Sequence, residues 1–257
     1  MFNWFKRRRR ERLRAMPLPA EWCAFIVRNI PYISLLPTPD RQELEGHVQV
    51  LLAEKKFAGC AGLEITDEIR VTIAAQAALL LLHRETDYFP LMRTILVYPD
   101  RFMVKHSIEQ EDGTVVEEEV EQSGESWPGG PVVLSWQDVL ESAAEPHDGY
   151  NVVLHEFAHQ LDDESGGTDG APDLGSAARY RAWAHAFSRE YELLQDAVLE
   201  GRLLILDEYG AESPAEFFAV ATECFFECPR SLRQGHPELY AKLAEYYRQE
   251  PAAYCKA

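Results

Sequence analysis

The segment Tyr150-Asn-Val-Val-Leu-His155-Glu-Phe-Ala-His159-Gln-Leu-Asp162-Asp163 carries two histidines four residues apart, with Glu156 following the first. On a helix that spacing stacks both imidazoles on one face. Val152, Val153, Leu154, Phe157, Ala158 and Leu161 make the same helix apolar almost all round, so the chain must fold around it. Polar side chains in such a helix need partners. A surface helix that carries His, Glu and His by coincidence is the plainer alternative, and the apolar flanks weigh against it. The H-E-x-x-H order suits zinc: two neutral imidazoles and a third protein ligand form the base of a site whose fourth position takes water. His155 and His159 are therefore candidate ligands of one zinc ion per chain, and Glu156 is the candidate general base.

The length of 257 residues and the absence of a linker-like stretch favour one domain, residues 16–257, after a basic segment at 1–15. The net charge of −18 is unevenly distributed. Lys6 to Arg14 contribute +6, which leaves −24 for the remainder. An acidic body argues against nucleic acid as the main partner. The basic segment reads as a disordered tail, or as a contact for anionic lipid or a partner through Trp4 and Phe5. It lacks the apolar core of a secretory signal, and the longest apolar run, Val71 to Leu82, is too short to span a bilayer. Five cysteines without C-x-x-C pairs fit a reducing cytoplasm. Cys224 and Cys228, four apart, read as free thiols rather than a metal pair.

The spacing predicts helices over 20–30, 40–57 and 66–82, a helical scaffold in which His47 and His83 are ordinary core or solvated residues. The period then changes to two. Thr94–Tyr98 is a strand, Phe102–Ile108 and Val115–Val120 form a hairpin punctuated by Gly113, and its face with Glu117, Glu118, Glu119 and Glu121 is solvated. His106 is a marginal neighbour for a metal site. Val132–Trp136 is a short strand, either the edge on which an extended peptide would pair or an interior strand. A long helix from Ser176 to about Glu200 carries a core stripe of Trp183, Phe187, Tyr191 and Leu194, with His185 exposed. The expected class is α+β, mostly helical with a small mixed sheet containing residues 94–136.

The third ligand is less constrained. Asp162 and Ser165 occupy the positions that would complete H-E-x-x-H-x-x-G-x-x-H, so that pattern is excluded. Asp169 and Asp173 in the glycine-rich loop remain candidates, as do Glu216, Glu223 and Glu227. Ser213-Pro214-x-Glu216 is also a helix start in which Glu216 would serve as capping carboxylate. Yet Glu216, Glu223 and Glu227 share one stripe of a helix otherwise lined by phenylalanines, where carboxylates need a cation or donors.

His155-Glu-Phe-Ala-His159 with Asp162-Asp163, together with Tyr209-Gly and Ala215-Glu216-Phe-Phe-Ala219, resembles both halves of the site in the anthrax lethal factor catalytic domain. Over roughly residues 15–250, including Gln122–Trp127 and Gly130–Trp136, the chain is similar to the bacterial Mlc titration factor A family of zinc peptidases. The resemblance implies a zincin-like fold, zinc held by His155, His159 and Glu216, Glu156 as base and Tyr209 as the oxyanion donor. It also implies a cytoplasmic aminopeptidase-type activity on peptides and association with a sugar-responsive transcriptional repressor. A non-catalytic or weakly catalytic regulator that sequesters a transcription factor is the rival function. Val220 departs from the lethal factor pattern, where a second glutamate stands, and Glu223 is the residue that would replace it; the supporting roles of Asp162 and Asp163 stay open.

Overall fold

The computed structural model describes residues 2–109, 115–127 and 129–254. Helix α1 (Phe2–Arg14) leads into α2 (Ala20–Asn29) and α3 (Thr38–Glu54). Strand β1 (Lys56–Gly59) follows, and α4 (Asp67–Leu79) leads to β2 (Thr94–Tyr98). Next come β3 (Phe102–Glu109), β4 (Val115–Gln122), β5 (Gly124–Ser126) and β6 (Val132–Ser135). The remainder is helical: α5 (Trp136–Ala144), α6 (Val152–Asp163), α7 (Ala177–Leu199), α8 (Pro214–Glu227), α9 (Pro229–Gly235), α10 (Pro237–Tyr247) and α11 (Pro251–Tyr254). The chain is thus mostly helical with a small mixed sheet.

Helix starts follow from side-chain capping. Thr66, Ser135, Asn151, Ser176 and Ser213 each accept a backbone N–H three residues ahead, at α4, α5, α6, α7 and α8. The sheet runs in the order β1-β2-β6-β5, the first three parallel and β5 antiparallel to β6. Two parts of it differ from expectation. The predicted helix to residue 57 gives way after Glu54 to β1, and the pair β3–β4 forms a separate ribbon instead of joining the sheet. The strand predicted through Trp136 ends at Ser135, because the Ser135 hydroxyl caps α5 and turns the chain into a helix. Gly113 and the side chains of His106, Glu117, Glu118, Glu119 and Glu121 lie outside the described residues.

Every residue of α6 is buried, as its all-round apolar pattern requires. One side meets the scaffold, where Phe157 packs edge-to-face on Phe89 at 4.8 Å, and another meets α8. The aromatic stripe of α7 closes the far side of α8, with Trp183 stacked on Phe187 at 3.9 Å and Phe187 against Phe217. His47 is a buried core histidine bonded to the Tyr88 hydroxyl at 3.0 Å.

The basic segment departs from the expected disordered tail. It forms α1 against α3, because Arg10 reaches Glu54 at 2.7 Å and Lys6 reaches Asp87 at 2.7 Å, which ties the helix down through otherwise uncompensated carboxylates. Among the described residues no helix is long and apolar enough to cross a membrane.

Candidate metal centre and its groove

The Asn151 side chain accepts the Leu154 N–H at 3.0 Å and so sets the first turn of α6. One turn on, His155 donates from Nδ1 to Glu223 Oε1 at 2.7 Å, since a carboxylate can only accept. The other Glu223 oxygen accepts the Asn151 N–H at 2.6 Å. Glu223, whose role was open, therefore fixes both the ring of His155 and the start of its helix. With Nδ1 as donor, a neutral His155 has its Nε2 lone pair turned inward.

That Nε2, a donor to Glu216 while the ring is protonated and a lone pair once it is neutral, meets two other candidate ligand atoms. His155 Nε2 lies 3.0 Å from Glu216 Oε2, His159 Nε2 lies 3.2 Å from His155 Nε2, and His159 Nε2 lies 3.3 Å from Glu216 Oε2. A tetrahedral ion with bonds of about 2.0–2.1 Å holds its ligand atoms roughly 3.3–3.4 Å apart, so the triangle has the right size. Two imidazoles and a carboxylate also form a donor set that zinc accepts, and these residues could hold a metal ion. Burial by itself raises the Glu216 carboxyl, but hydrogen bonds from His155 and His159 outweigh it and take the pKa down to about 2. Burial likewise opposes a charge on His155, and the Glu223 carboxylate overcomes it, lifting the imidazole well above its ordinary range.

The capping alternative for Glu216 divides between two atoms. Its N–H donates to Ser213 Oγ at 3.2 Å, so Ser213 is the cap, while its carboxylate points at the histidines. Asp169 and Asp173 stay within their loop, accepting the N–H groups of Ala171 at 3.3 Å and Gly175 at 2.9 Å. Glu227 lies one step further back: its carboxylate accepts the His147 N–H at 3.0 Å and the Asn151 side-chain amide at 3.3 Å.

Asp162 and Asp163 hold the glycine-rich loop. Asp162 Oδ2 accepts the Gly170 N–H at 2.7 Å, and Asp163 Oδ1 accepts from the Thr168 hydroxyl at 2.9 Å. Gly170 has φ +76°, and a Cβ there would lie 2.2 Å from Pro214 O. The loop thus sits against the first turn of α8 and links the end of the histidine helix to the start of the Glu216 helix.

Glu156 is 6% exposed, and burial pushes its pKa up to about 7 against the opposing pull of the two histidines. It faces a cavity of about 280 Å³ lined by Gln122, Gly124, Tyr150, Val152, Tyr209 and Val220. Tyr209 stands on the 3-10 turn Glu208–Ala211, its ring 5.9 Å from that of His155. Burial and then the charge of Glu216 raise its phenol, which stays a donor at neutral pH. Sequence reasoning missed Gly124, where a Cβ would fall 2.5 Å from Glu156 Oε1 and 2.8 Å from Val152 Cγ2. Of the two readings for residues 132–136, the structure favours the interior one, since β6 lies between β2 and β5. The edge beside α6 is β5, where Gln160 donates to Ser126 Oγ at 2.7 Å.

Comparison with known proteins adds a family. The profile described as "Glucose-regulated metallo-peptidase M90" matches residues 4–248. An uncharacterized protein of Synechocystis sp. is 41% identical over 249 residues, which cover 96% of this chain and 90% of the relative. Proteins named Mlc titration factor A from Yersinia pestis and Yersinia pseudotuberculosis are each 34% identical over 233 residues, covering 89% of this chain and 84% of theirs.

Proposed function

Since the chain belongs to the M90 family of glucose-regulated metallo-peptidases, we propose that it is a zinc-dependent peptidase of aminopeptidase type, with a zincin-like fold over residues 16–257. The observation that carries the proposal is the convergence of His155, His159 and Glu216 beside a buried Glu156. Those three side chains would hold one zinc ion. When bound, the ion supplies a Lewis acid that polarises a carbonyl and acidifies water.

The chain's own groups supply the remaining steps. Glu156 accepts a proton from the attacking water at one carboxylate oxygen and returns it to the leaving amine, a task suited to a carboxyl whose pKa is pushed up to about 7. The Tyr209 hydroxyl donates to the oxyanion of the tetrahedral intermediate. The free edge of β5 pairs with the substrate backbone and keeps the scissile bond over the site. Glu223 holds the His155 ring, and Gly124 leaves Glu156 room to reach the water. The acidic body favours peptides without strong negative charge. The free Cys23, Cys60, Cys224 and Cys228 fit a cytoplasmic setting.

The experiment is hydrolysis of a panel of aminoacyl chromogenic substrates by wild type and Glu156→Gln, with zinc measured in both. Glu156→Gln should retain zinc and lose on the order of a hundredfold or more in turnover. A variant that still cuts at the wild-type rate would remove Glu156 from the chemistry. The name of the Yersinia relatives supports a second reading, in which the protein captures a sugar-responsive transcriptional repressor with little or no proteolysis. Repressor capture undiminished in Glu156→Gln, with no wild-type turnover on any substrate, would favour that reading.

A further inference from the structure

Helix α1 has two unlike sides. Lys6, Arg10 and Leu13 recur at helical spacing on the inward side, where Lys6 and Arg10 bind Asp87, Arg10 also binds Glu54, and Leu13 packs on the core. Arg14 adds a bond to Glu43 at 3.3 Å. These cations neutralise the carboxylates of the body nearest the helix. The outward side carries Trp4, Arg8 and Arg12 in one row, with Phe5 and Arg9 beside it, and all five are exposed. Trp4 is 52% and Phe5 61% exposed, with ring centroids 5.0 Å apart, and the Arg8 guanidinium stands 4.3 Å over the Trp4 ring. Among the described residues Arg8, Arg9 and Arg12 form no ion pair, and the exposed Arg7 and Glu11, paired at 3.3 Å, flank their row.

We propose that this outward face of α1 docks the protein on an anionic phospholipid bilayer. Three arginines without an ion pair match lipid phosphates, which the planar guanidinium binds in pairs of hydrogen bonds. The two aromatic rings at one end of the face supply the apolar part, since tryptophan and phenylalanine settle at the headgroup boundary. Here the cationic and aromatic groups share the side turned away from the body, so both can meet a bilayer while the inward side stays tied to the protein. Charge complementarity also selects among anionic partners. The rest of the chain carries −24, which a long nucleic acid curving around the protein would meet, whereas a bilayer touches the molecule along one plane and the body's charges are screened beyond about 8 Å at physiological salt.

The test is co-sedimentation of the full chain with vesicles of phosphatidylcholine alone and of phosphatidylcholine mixed with phosphatidylserine. Wild type should pellet with the anionic vesicles only and be released at high salt. The triple variant Arg8→Gln, Arg9→Gln, Arg12→Gln should bind on the order of a hundredfold more weakly, the effect of three surface cations. Trp4→Ser with Phe5→Ser should also weaken binding while leaving its salt dependence. Both variants keep the inward ties of Lys6, Arg10 and Arg14, and unchanged helical circular dichroism and zinc content verify that each is folded. Equal binding of wild type to both vesicle types, or to neither, overturns the proposal. So does an arginine variant that is folded and still binds like wild type, or binding to an RNA oligonucleotide in place of vesicles.

Discussion

At Glu216 two demands meet in one residue. Its amide belongs to the Ser213 cap and its carboxylate to the histidine pair, at 3.0 and 3.3 Å. Ser-Pro-x-Glu at the start of a helix suits a capping carboxylate as well as a ligand, so the sequence could not choose; the choice depends on where α6 lies, which no local spacing records. The structure also makes the two roles separable. Glu216→Gln keeps the Ser213 bond, because that bond uses the backbone, but replaces an anionic donor by a neutral amide. Zinc affinity by chelator competition should therefore fall by more than the roughly 10–100-fold typical of losing a partner behind a ligand, with the melting midpoint of the metal-free protein little changed. Wild-type zinc affinity in that variant would send the search for the third ligand elsewhere. Glu223 was visible in the sequence as a carboxylate on the same stripe, but its bonds to His155 and to the Asn151 amide required the two helices to be placed.

Among elements, the close approach of β5 to α6 decides how the groove is shaped. Gly124 is the position at which the strand can pass over Glu156, because any side chain there would begin 2.5 Å from a carboxylate oxygen. Gly124→Ala should leave His155, His159 and Glu216 in place and misdirect Glu156, lowering turnover by at least about tenfold if Glu156 serves as the proposed base, given that displacements near 1 Å at a reacting group can cost about a hundredfold. Unchanged turnover at full zinc content would mean that the strand shifts without disturbing Glu156. Helices were the most legible elements, since their apolar periods are local and, at Ser213, so is the cap, while the caps at Thr66 and Asn151 emerged with the structure. Strands were less so. β1 spans four residues with a mostly exposed pattern and exists because β2 pairs with it in parallel, a partner 38 residues further on by the register of Lys56 with Thr94. β5 is three residues long and owes its place to β6.

For the whole molecule, the helix at its centre was foreseeable from its apolar surround, whereas the fate of the basic segment was not, because Glu54 and Asp87 that anchor Arg10 are distant in sequence. The same excess of carboxylates sets how stability should depend on pH. Burial raises Asp162 to about 6, Glu164 to about 7 and Glu227 to about 8, each above its ordinary value. A carboxyl whose pKa is higher in the folded chain than in the unfolded one favours folding when protonated, and that advantage is lost as pH rises from the unfolded value through the folded one. All three groups therefore destabilise the fold progressively between about pH 4 and pH 8. The opposite sign holds for Glu54 and Asp87, whose burial is outweighed by Arg10 and, for Asp87, by Lys6 as well; they are lowered and lose their contribution only as pH falls below the ordinary carboxylate range. The metal-free protein should accordingly melt highest near about pH 5 and progressively lower towards pH 8, where the net charge of −18 adds repulsion. Glu164 offers the cleanest single-site check, since its Oε1 is buried with no hydrogen-bond partner among the described residues. Glu164→Gln cannot ionise, so its melting midpoint should fall less steeply than that of wild type between about pH 4.5 and 7, the two curves diverging as pH rises. Parallel curves across that window, measured by calorimetry in the presence of chelator, would show that Glu164 titrates no differently folded than unfolded, and the decline would then have to come from Asp162, Glu227 and the other buried carboxyls.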